Sequence, residues 1–239
     1  PYHGLDGAFL KDIPGRVGCD ILVCAVERGT EVIIPGGDFM LQNGDLVSFL
    51  ATHENAVDFF VKLKMPTHPV RSALIVGGGT IGYYLAKDLT AKGIRVRIVE
   101  RDEERCDTLA ELLPDATILH GDGTDRQLLL AEGLPIAESF VSLTNMDEEN
   151  ILLALFAKKH SHAKLITKVN RLEFDDILDG LDLGSVVYPK YITCDFIIQY
   201  VRALQNRAGN NLKTLYRILD DRVEALEFLV HKNSDLAGI

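Results

Sequence analysis

The chain has 239 residues, 47% of them hydrophobic and 25% charged, a balance that suits a soluble globular protein of one large or two ordinary domains. Its formal net charge of -10 argues against a nucleic acid partner, because phosphate backbones are held by basic surfaces, although a local anion site built from backbone amides stays open. Pure apolar runs are short, Ile151 to Ala157 among the longest, whereas a membrane helix needs about 20 such residues, so no membrane insertion is expected, and no signal peptide is seen.

The sequence opens on Pro1-Tyr2-His3 without methionine and is expected to be a fragment or a processed chain. Cys19, Cys24, Cys106 and Cys194 lie scattered, with no CxxC pair and no Cys/His cluster at metal spacing. They read as reduced thiols of a cytoplasmic protein. His160 and His162 read as the polar exit of a helix, since no third ligand lies near them in sequence.

Residues 1–65 hold short β-type runs at Ile21–Val26, Glu31–Ile34 and Leu46–Leu50, punctuated by Pro35-Gly36-Gly37-Asp38 and Asn43-Gly44-Asp45, which read as turns. A helical stretch, Asn55–Leu63, closes this small α+β unit. Two prolines within Met65–Pro69 mark a linker at 66–70. From Arg71 to residue 207, apolar runs alternate with longer helical patterns: Ala73–Val76, Val96–Val99, Ala116–Leu119, Phe140–Leu143, Leu165–Thr167 and Ser185–Val187. Continuous apolar strands separated by helices predict an α/β fold, a doubly wound parallel sheet covered on both faces. A helix over Cys194–Leu204 follows, then a break at Ala208–Asn211, which opens a last segment, 208–239. That segment contains a strand-like run, Val223–Val230. Its end, Asp235–Ile239, faintly echoes Phe9–Ile13, which would fit a tandem repeat cut within its second copy.

Directly after Ala73–Val76 comes Gly77-Gly78-Gly79-Thr80-Ile81-Gly82, a GxGxxG match with a strand before it and a helix, Ile81–Ala91, after it. A second strand then ends in Glu100, 18 residues past Gly82. This is the order of a Rossmann-type dinucleotide site. Gly77 permits the tight turn, Gly79 lets a pyrophosphate approach the backbone, and Gly82 allows the helix to pack on the sheet. The phosphates would meet the free N–H groups and positive end of that helix. Glu100 would accept from the adenosine ribose hydroxyls and repel a 2′-phosphate, favouring NAD over NADP, while the neighbouring Arg101 weakens the preference. The alternative is that the glycines only form a tight turn.

Two further loops follow the third and fourth strands, Gly121-Asp122-Gly123-Thr124-Asp125 and Thr144-Asn145-Met146-Asp147-Glu148-Glu149-Asn150. Ligands bind outside the carboxyl ends of such strands, so both loops should face the site. Asp122 is expected to contact ligand. Asp125 or Asn145 is expected to cap a helix, with Asp147, Glu148 and Glu149 serving its first turn. Lys168, past the fifth strand, is either a phosphate contact or an ordinary solvent-facing lysine.

In order and spacing, Gly77–Gly82, Val99–Asp102, His120–Asp125 and Thr144–Asn150 resemble the RCK, or KTN, domain family, in the form of the TrkA regulatory subunits of bacterial Trk potassium uptake systems. Val187-Tyr188-Pro189-Lys190 and the following helix match that fold past its sixth strand. Cys24–Gly29, Ile34–Asp38 and Asn43–Asp45 resemble the small C-terminal subdomain of such a unit. The resemblance implies the C-subdomain of a first unit at 1–65, a complete nucleotide domain at 71–207, and the truncated start of a second C-subdomain at 208–239. It carries over Gly77, Gly79, Gly82, Glu100, Asp122 and Lys168 as nucleotide contacts; Thr80, Ile81, Arg101, Gly123, Thr144 and Asn145 complete the expected site. Thr80 stands where many relatives place an arginine, which favours NAD(H) over a triphosphate, with ATP or ADP as alternative ligands.

The implied function is regulatory and not enzymatic. Nucleotide occupancy would gate a membrane potassium channel or transporter subunit, with the protein held at the cytoplasmic face of the inner membrane by that partner. The rival is an NAD-dependent dehydrogenase, but only about 50 residues follow the sixth strand, and no substrate-domain constellation is seen upstream. A scaffold with a vestigial site is a third reading. Ile192, Phe196, Tyr200 and Leu204, with Ile197 and Val201, form an apolar helix face expected to be buried in a homodimer or higher homo-oligomer, unless the helix folds back onto the sheet.

Overall fold

The computed structural model describes residues 4–65, 69–171, 179–181, 183–206, 212–218 and 222–228. The linker prolines Pro66 and Pro69 are split by this, Pro66 lying outside the described residues, as do the break at 208–211 and the terminal echo at 235–239. The described residues fall into two compact units, one within 1–68 and 196–239, the other within 69–195.

In the first unit, β1 (Leu22–Arg28) lies between β2 (Glu31–Ile33) and β3 (Leu46–Leu50), both antiparallel to it. Gly29, at φ 64°, makes the tight return from β1 to β2. A short helix α1 (Ile13–Val17) and the longer α2 (His53–Lys62) accompany the sheet. The hydroxyl of Thr52 caps α2 by accepting from Asn55 N at 3.2 Å. Ile13, Val17, Val26, Leu41 and Phe59 form the core, with Phe49 and Phe60 packed on it. Arg28 locks the Asn43–Asp45 turn by a two-pronged bond to Asp45, Nε–Oδ1 and Nη2–Oδ2 both at 2.8 Å. That guanidinium holds the Asp45 carboxyl below its ordinary range. The same unit contains an antiparallel hairpin, β10 (Leu212–Ile218) with β11 (Val223–Phe228), and an ion pair between Arg222 and Glu27. β10 is not predicted from the sequence, because its apolar residues at 212, 215 and 216 fall at helical and not at alternating spacing.

The second unit is a six-stranded, wholly parallel sheet in the order β6-β5-β4-β7-β8-β9. Its strands are β4 (Ser72–Val76), β5 (Arg95–Glu100), β6 (Ala116–His120), β7 (Ser139–Ser142), β8 (Lys164–Lys168) and β9 (Ser185–Val187). The interleaved helices are α3 (Thr80–Ala91), α4 (Glu103–Leu112), α5 (Arg126–Ala131) and α6 (Asp147–His160). β4 explains why its sequence reads as an unbroken apolar run. Leu74 and Val76 face one core with Phe140, Leu129 and Leu153, while Ile75 faces the other with Ala86, Ile98 and Leu109. The chain starts the sheet at its centre and reverses direction between β4 and β7, which opens a crevice at their carboxyl ends. The last helix, α7 (Pro189–Asn206), begins five residues before the predicted start, since proline is well tolerated at a first helical position.

Candidate functional site

A cleft of about 480 Å³ lies at the carboxyl ends of β4, β5 and β7. Gly77 leaves β4 at φ 106°, and a side chain there would press on the Leu143 backbone at 2.9 Å. Gly82 lies against Gly77 in the first turn of α3: a Cβ would stand 2.2 Å from Gly77 O. Gly79 differs, for nothing lies within 4 Å of its Cβ position, which opens on the cleft. The loop therefore presents bare backbone to an empty volume, beside the N-terminal N–H groups of α3 that have no intrahelical acceptor.

Glu100 is held by this loop. Its Oε2 accepts from Gly78 N at 2.7 Å, and its Oε1 accepts from Arg101 N at 2.8 Å and Asp102 N at 2.9 Å. A carboxylate offers about four acceptor positions, so roughly one, on Oε2, is left for a ribose hydroxyl. The carboxylate thus also builds the glycine loop.

Gly123 brings the β6–α5 loop down onto β4, where a Cβ would meet Val76 Cγ1 at 2.2 Å. Asp122 then lines the cleft, and its Oδ1 accepts from Thr124 N at 2.8 Å and Thr124 Oγ1 at 2.7 Å. These bonds hold it ionised below the ordinary aspartate range. Its second oxygen is not used in that turn. Asp125 caps α5 as expected, accepting from Gln127 N and Leu128 N.

Thr144 and Asn145 line the opposite wall with Met146 and Glu149. Asn145 does not cap α6: Met146 occupies that position and offers no side-chain acceptor. Asp147 serves a different purpose from a cap, accepting from Asn170 N and Nδ2 at 2.9 Å and from Arg171 N at 3.0 Å. Glu149 faces the cleft, and burial, then the Asp122 carboxylate, raise its pKa, against a smaller opposite pull from Arg101.

Lys168 is neither solvent-facing nor in the cleft lining. It is 6% exposed, donates to Asn145 Oδ1 at 3.4 Å, and burial depresses its pKa. It stands against Asn145, a residue of the cleft wall. Thr80, Ile81 and Gly82 also lie outside the lining, in the first turn of α3, the first two exposed and Gly82 buried. Gly77, Gly79, Glu100, Arg101, Asp122 and Gly123 are brought together with Thr144 and Asn145.

Sequence reasoning missed two residues. Asn150 is fully buried: its Oδ1 accepts from Thr144 N at 2.9 Å, and its Nδ2 donates to Thr144 O at 3.1 Å and Lys168 O at 2.9 Å. Its signal was available, because Asn150, Leu153, Ala154 and Ala157 share the buried stripe of α6 at helical spacing. Arg105 lines the cleft from α4 and donates to Gly78 O, with no such signal.

Comparisons agree with this architecture. The TrkA-C domain model matches residues 1–63, and the TrkA-N domain model matches residues 73–189. The chain is 31% identical over 239 residues to a Trk system potassium uptake protein TrkA of Halomonas elongata, covering all of this chain and 50% of that protein. It is 28% identical over 232 residues to its namesake in Haemophilus influenzae, covering 97% of this chain and 48% of that one. The chain thus spans about half the length of the curated relatives it matches. Among solved structures, one described as the GsuK channel bound to NAD shares the fold at a TM-score of 0.61 and 20% identity, over 90% of this chain and 38% of that one. The GsuK RCK domain does so at 0.61 and 20%, over 89% and 46%. With the TrkA-C model followed by the TrkA-N model, and relatives aligned along its whole length, the chain belongs to the TrkA family.

Proposed function

We propose that this chain binds NAD(H) in the cleft and acts as a regulatory part of a potassium uptake system, nucleotide occupancy gating a membrane channel or transporter partner at the cytoplasmic face. The observation that carries the ligand reading is the glycine loop: bare backbone at Gly79, the α3 N-terminus behind it, and Glu100 with an acceptor position to spare. The structure whose description names NAD has the same fold, and the relatives named for potassium uptake supply the physiological setting.

Charge favours a dinucleotide over ATP or ADP. The lining carries the carboxylates of Glu100, Asp102, Asp122 and Glu149 against the guanidiniums of Arg101 and Arg105. The terminal phosphates of ATP and ADP carry more negative charge than the bridging diester diphosphate of NAD(H), so they meet a net acidic wall at greater cost. Calorimetry across NAD+, NADH, NADP+, ATP and ADP tests this. NAD(H) is expected to bind best, and Glu100→Ala to weaken it. Equal affinity for NAD(H) and NADP(H) would remove Glu100 from its role. Steady nicotinamide turnover with any small carbonyl would replace regulation by catalysis.

We assign the exposed face of α7 to self-association. Ile192, Phe196, Ile197 and Tyr200 are each more than half exposed in the single chain. The Leu204 side chain lies outside the described residues. No helix among the described residues is long and apolar enough to cross a membrane.

A further inference from the structure

The glycine loop from Gly77 to Gly82 contains no basic side chain. A dinucleotide placed on it would rely on backbone amides and a helix terminus for its diphosphate. We propose that Arg105 supplies the missing cation: reaching from the first turn of α4, its guanidinium is the charged diphosphate contact of the cleft. This rests on the nucleotide reading above.

The placement is unusual for an arginine on this helix. Asp102, Glu103, Glu104 and Asp107 are its near neighbours in sequence. Among the described residues, however, Arg105 forms no ion pair with any of them; only its backbone N–H is used, donating to Asp102 Oδ1 at 2.7 Å. The side chain instead turns to the loop. Nε donates to Gly78 O at 2.8 Å, and Nη2 approaches Gly79 O at 3.5 Å. A guanidinium has five N–H donors in one plane. One is spent firmly and one weakly, so most of the fork, including Nη1, is left while the residue lines the cleft.

That geometry acts on an anion in two ways. The free Nη donors match the planar, two-pronged recognition of phosphate oxygens. The bond to Gly78 O also polarises the peptide whose other end is Gly79 N–H, strengthening that donor toward the same anion. Arg101, the other cation of the lining, follows Glu100 at the end of β5, and its charge acts on Asp122 and Glu149.

The test compares the unmodified chain with Arg105→Gln and Arg105→Lys, titrated with NADH by calorimetry at about 0.01 M and about 0.1 M salt, between which the screening length falls roughly threefold. Hydrogen bonds to charged groups are worth about 1.5–3 kcal/mol, so Arg105→Gln should weaken NADH binding about tenfold or more at low salt. Its affinity should also depend less on salt than that of the unmodified chain. Lysine keeps the charge and should restore most of the salt dependence but not all of the affinity. Unchanged NADH affinity in Arg105→Gln overturns the proposal. So does an equal loss at both salt concentrations, which would mean that the arginine only staples the loop. Absence of NADH binding in the unmodified chain would instead fell the nucleotide reading itself, and this assignment with it.

Discussion

Two alanine substitutions three residues apart should separate the two duties of the glycine loop. At Gly82 the added Cβ would lie 2.2 Å from Gly77 O and 3.3 Å from Gly77 C. Both are backbone atoms, and the first distance is about 1 Å short of ordinary contact. Neither partner can rotate away, so α3 must lift from β4. Overpacking of this kind costs about 1–3 kcal/mol. At about 2–4 °C per kcal/mol, Gly82→Ala should lower Tm by about 2–12 °C.

At Gly79 the backbone is extended, at φ -62° and ψ -167°, and nothing lies within 4 Å of the new methyl. Losing glycine at the N-cap costs stability, while a less flexible unfolded chain returns it, and the two offset to within about 1 kcal/mol. The methyl does enter the volume where a phosphate would approach. Gly79→Ala should therefore keep nearly the parent Tm and lose about tenfold or more in NADH affinity. Scanning calorimetry with and without NADH reads both. The reasoning fails if Gly79→Ala is destabilised as much as Gly82→Ala, or if it binds NADH as tightly as the parent.

Asn150→Leu should lower the unfolding free energy from urea titration by about 2–6 kcal/mol, because part-buried Thr144 N and buried Lys168 O lose their partner at about 1–3 kcal/mol each; a neutral result would mean that water replaces the amide. Glu149 has a raised pKa, so its ionised form is disfavoured in the folded state. That destabilisation is absent below the ordinary glutamate pKa and grows as pH rises through the folded value. Glu149→Gln should accordingly raise Tm near pH 7 and lose the advantage below about pH 4; a lower Tm at pH 7 would mean that the α6 helix dipole outweighs burial and Asp122. Phe196, 70% exposed, should be buried between protomers, and Phe196→Asp should convert a micromolar dimer to monomer by light scattering, whereas a monomeric parent chain would count against α7 as the self-association face.

The second unit was largely legible because its signals are local. Each strand is an apolar run short enough for a parallel sheet, and the turns after β4, β5 and β6 are marked by glycine or an acidic cap. The crevice follows from the strand order, which reverses between β4 and β7. What was illegible depends on side-chain direction. Nothing in Glu103-Glu104-Arg105 says that the arginine turns toward Gly78 and not toward an acid of its own helix. Asp147 looks like a first-turn acid and is one, yet its oxygens are spent on Asn170 and Arg171, 23 and 24 residues away. Lys168 looks like a strand-end lysine, but the wall formed by Asn145 and Asn150 encloses it. β10 is illegible for the opposite reason, since its apolar residues at 212, 215 and 216 keep a helical spacing in what is a strand of a hairpin.

These long-range bonds bear on how a bound nucleotide could be felt beyond the cleft. A ligand shifts an equilibrium only through contacts that differ between two states. Thr144 and Asn145 form the cleft wall, and neither is independent of β8: Asn150 joins Thr144 to Lys168 O, Lys168 joins Asn145, and Asp147 joins the start of α6 to the backbone of Asn170 and Arg171. A nucleotide that draws the wall inward must either drag the end of β8 with it or break these bonds. Breaking one buried bond costs about 1–3 kcal/mol. Couplings between distant sites are typically of the same size. A displacement that keeps these bonds reaches residues 168–171, at the carboxyl end of the strand that pairs with β9 and so lies next to the start of α7.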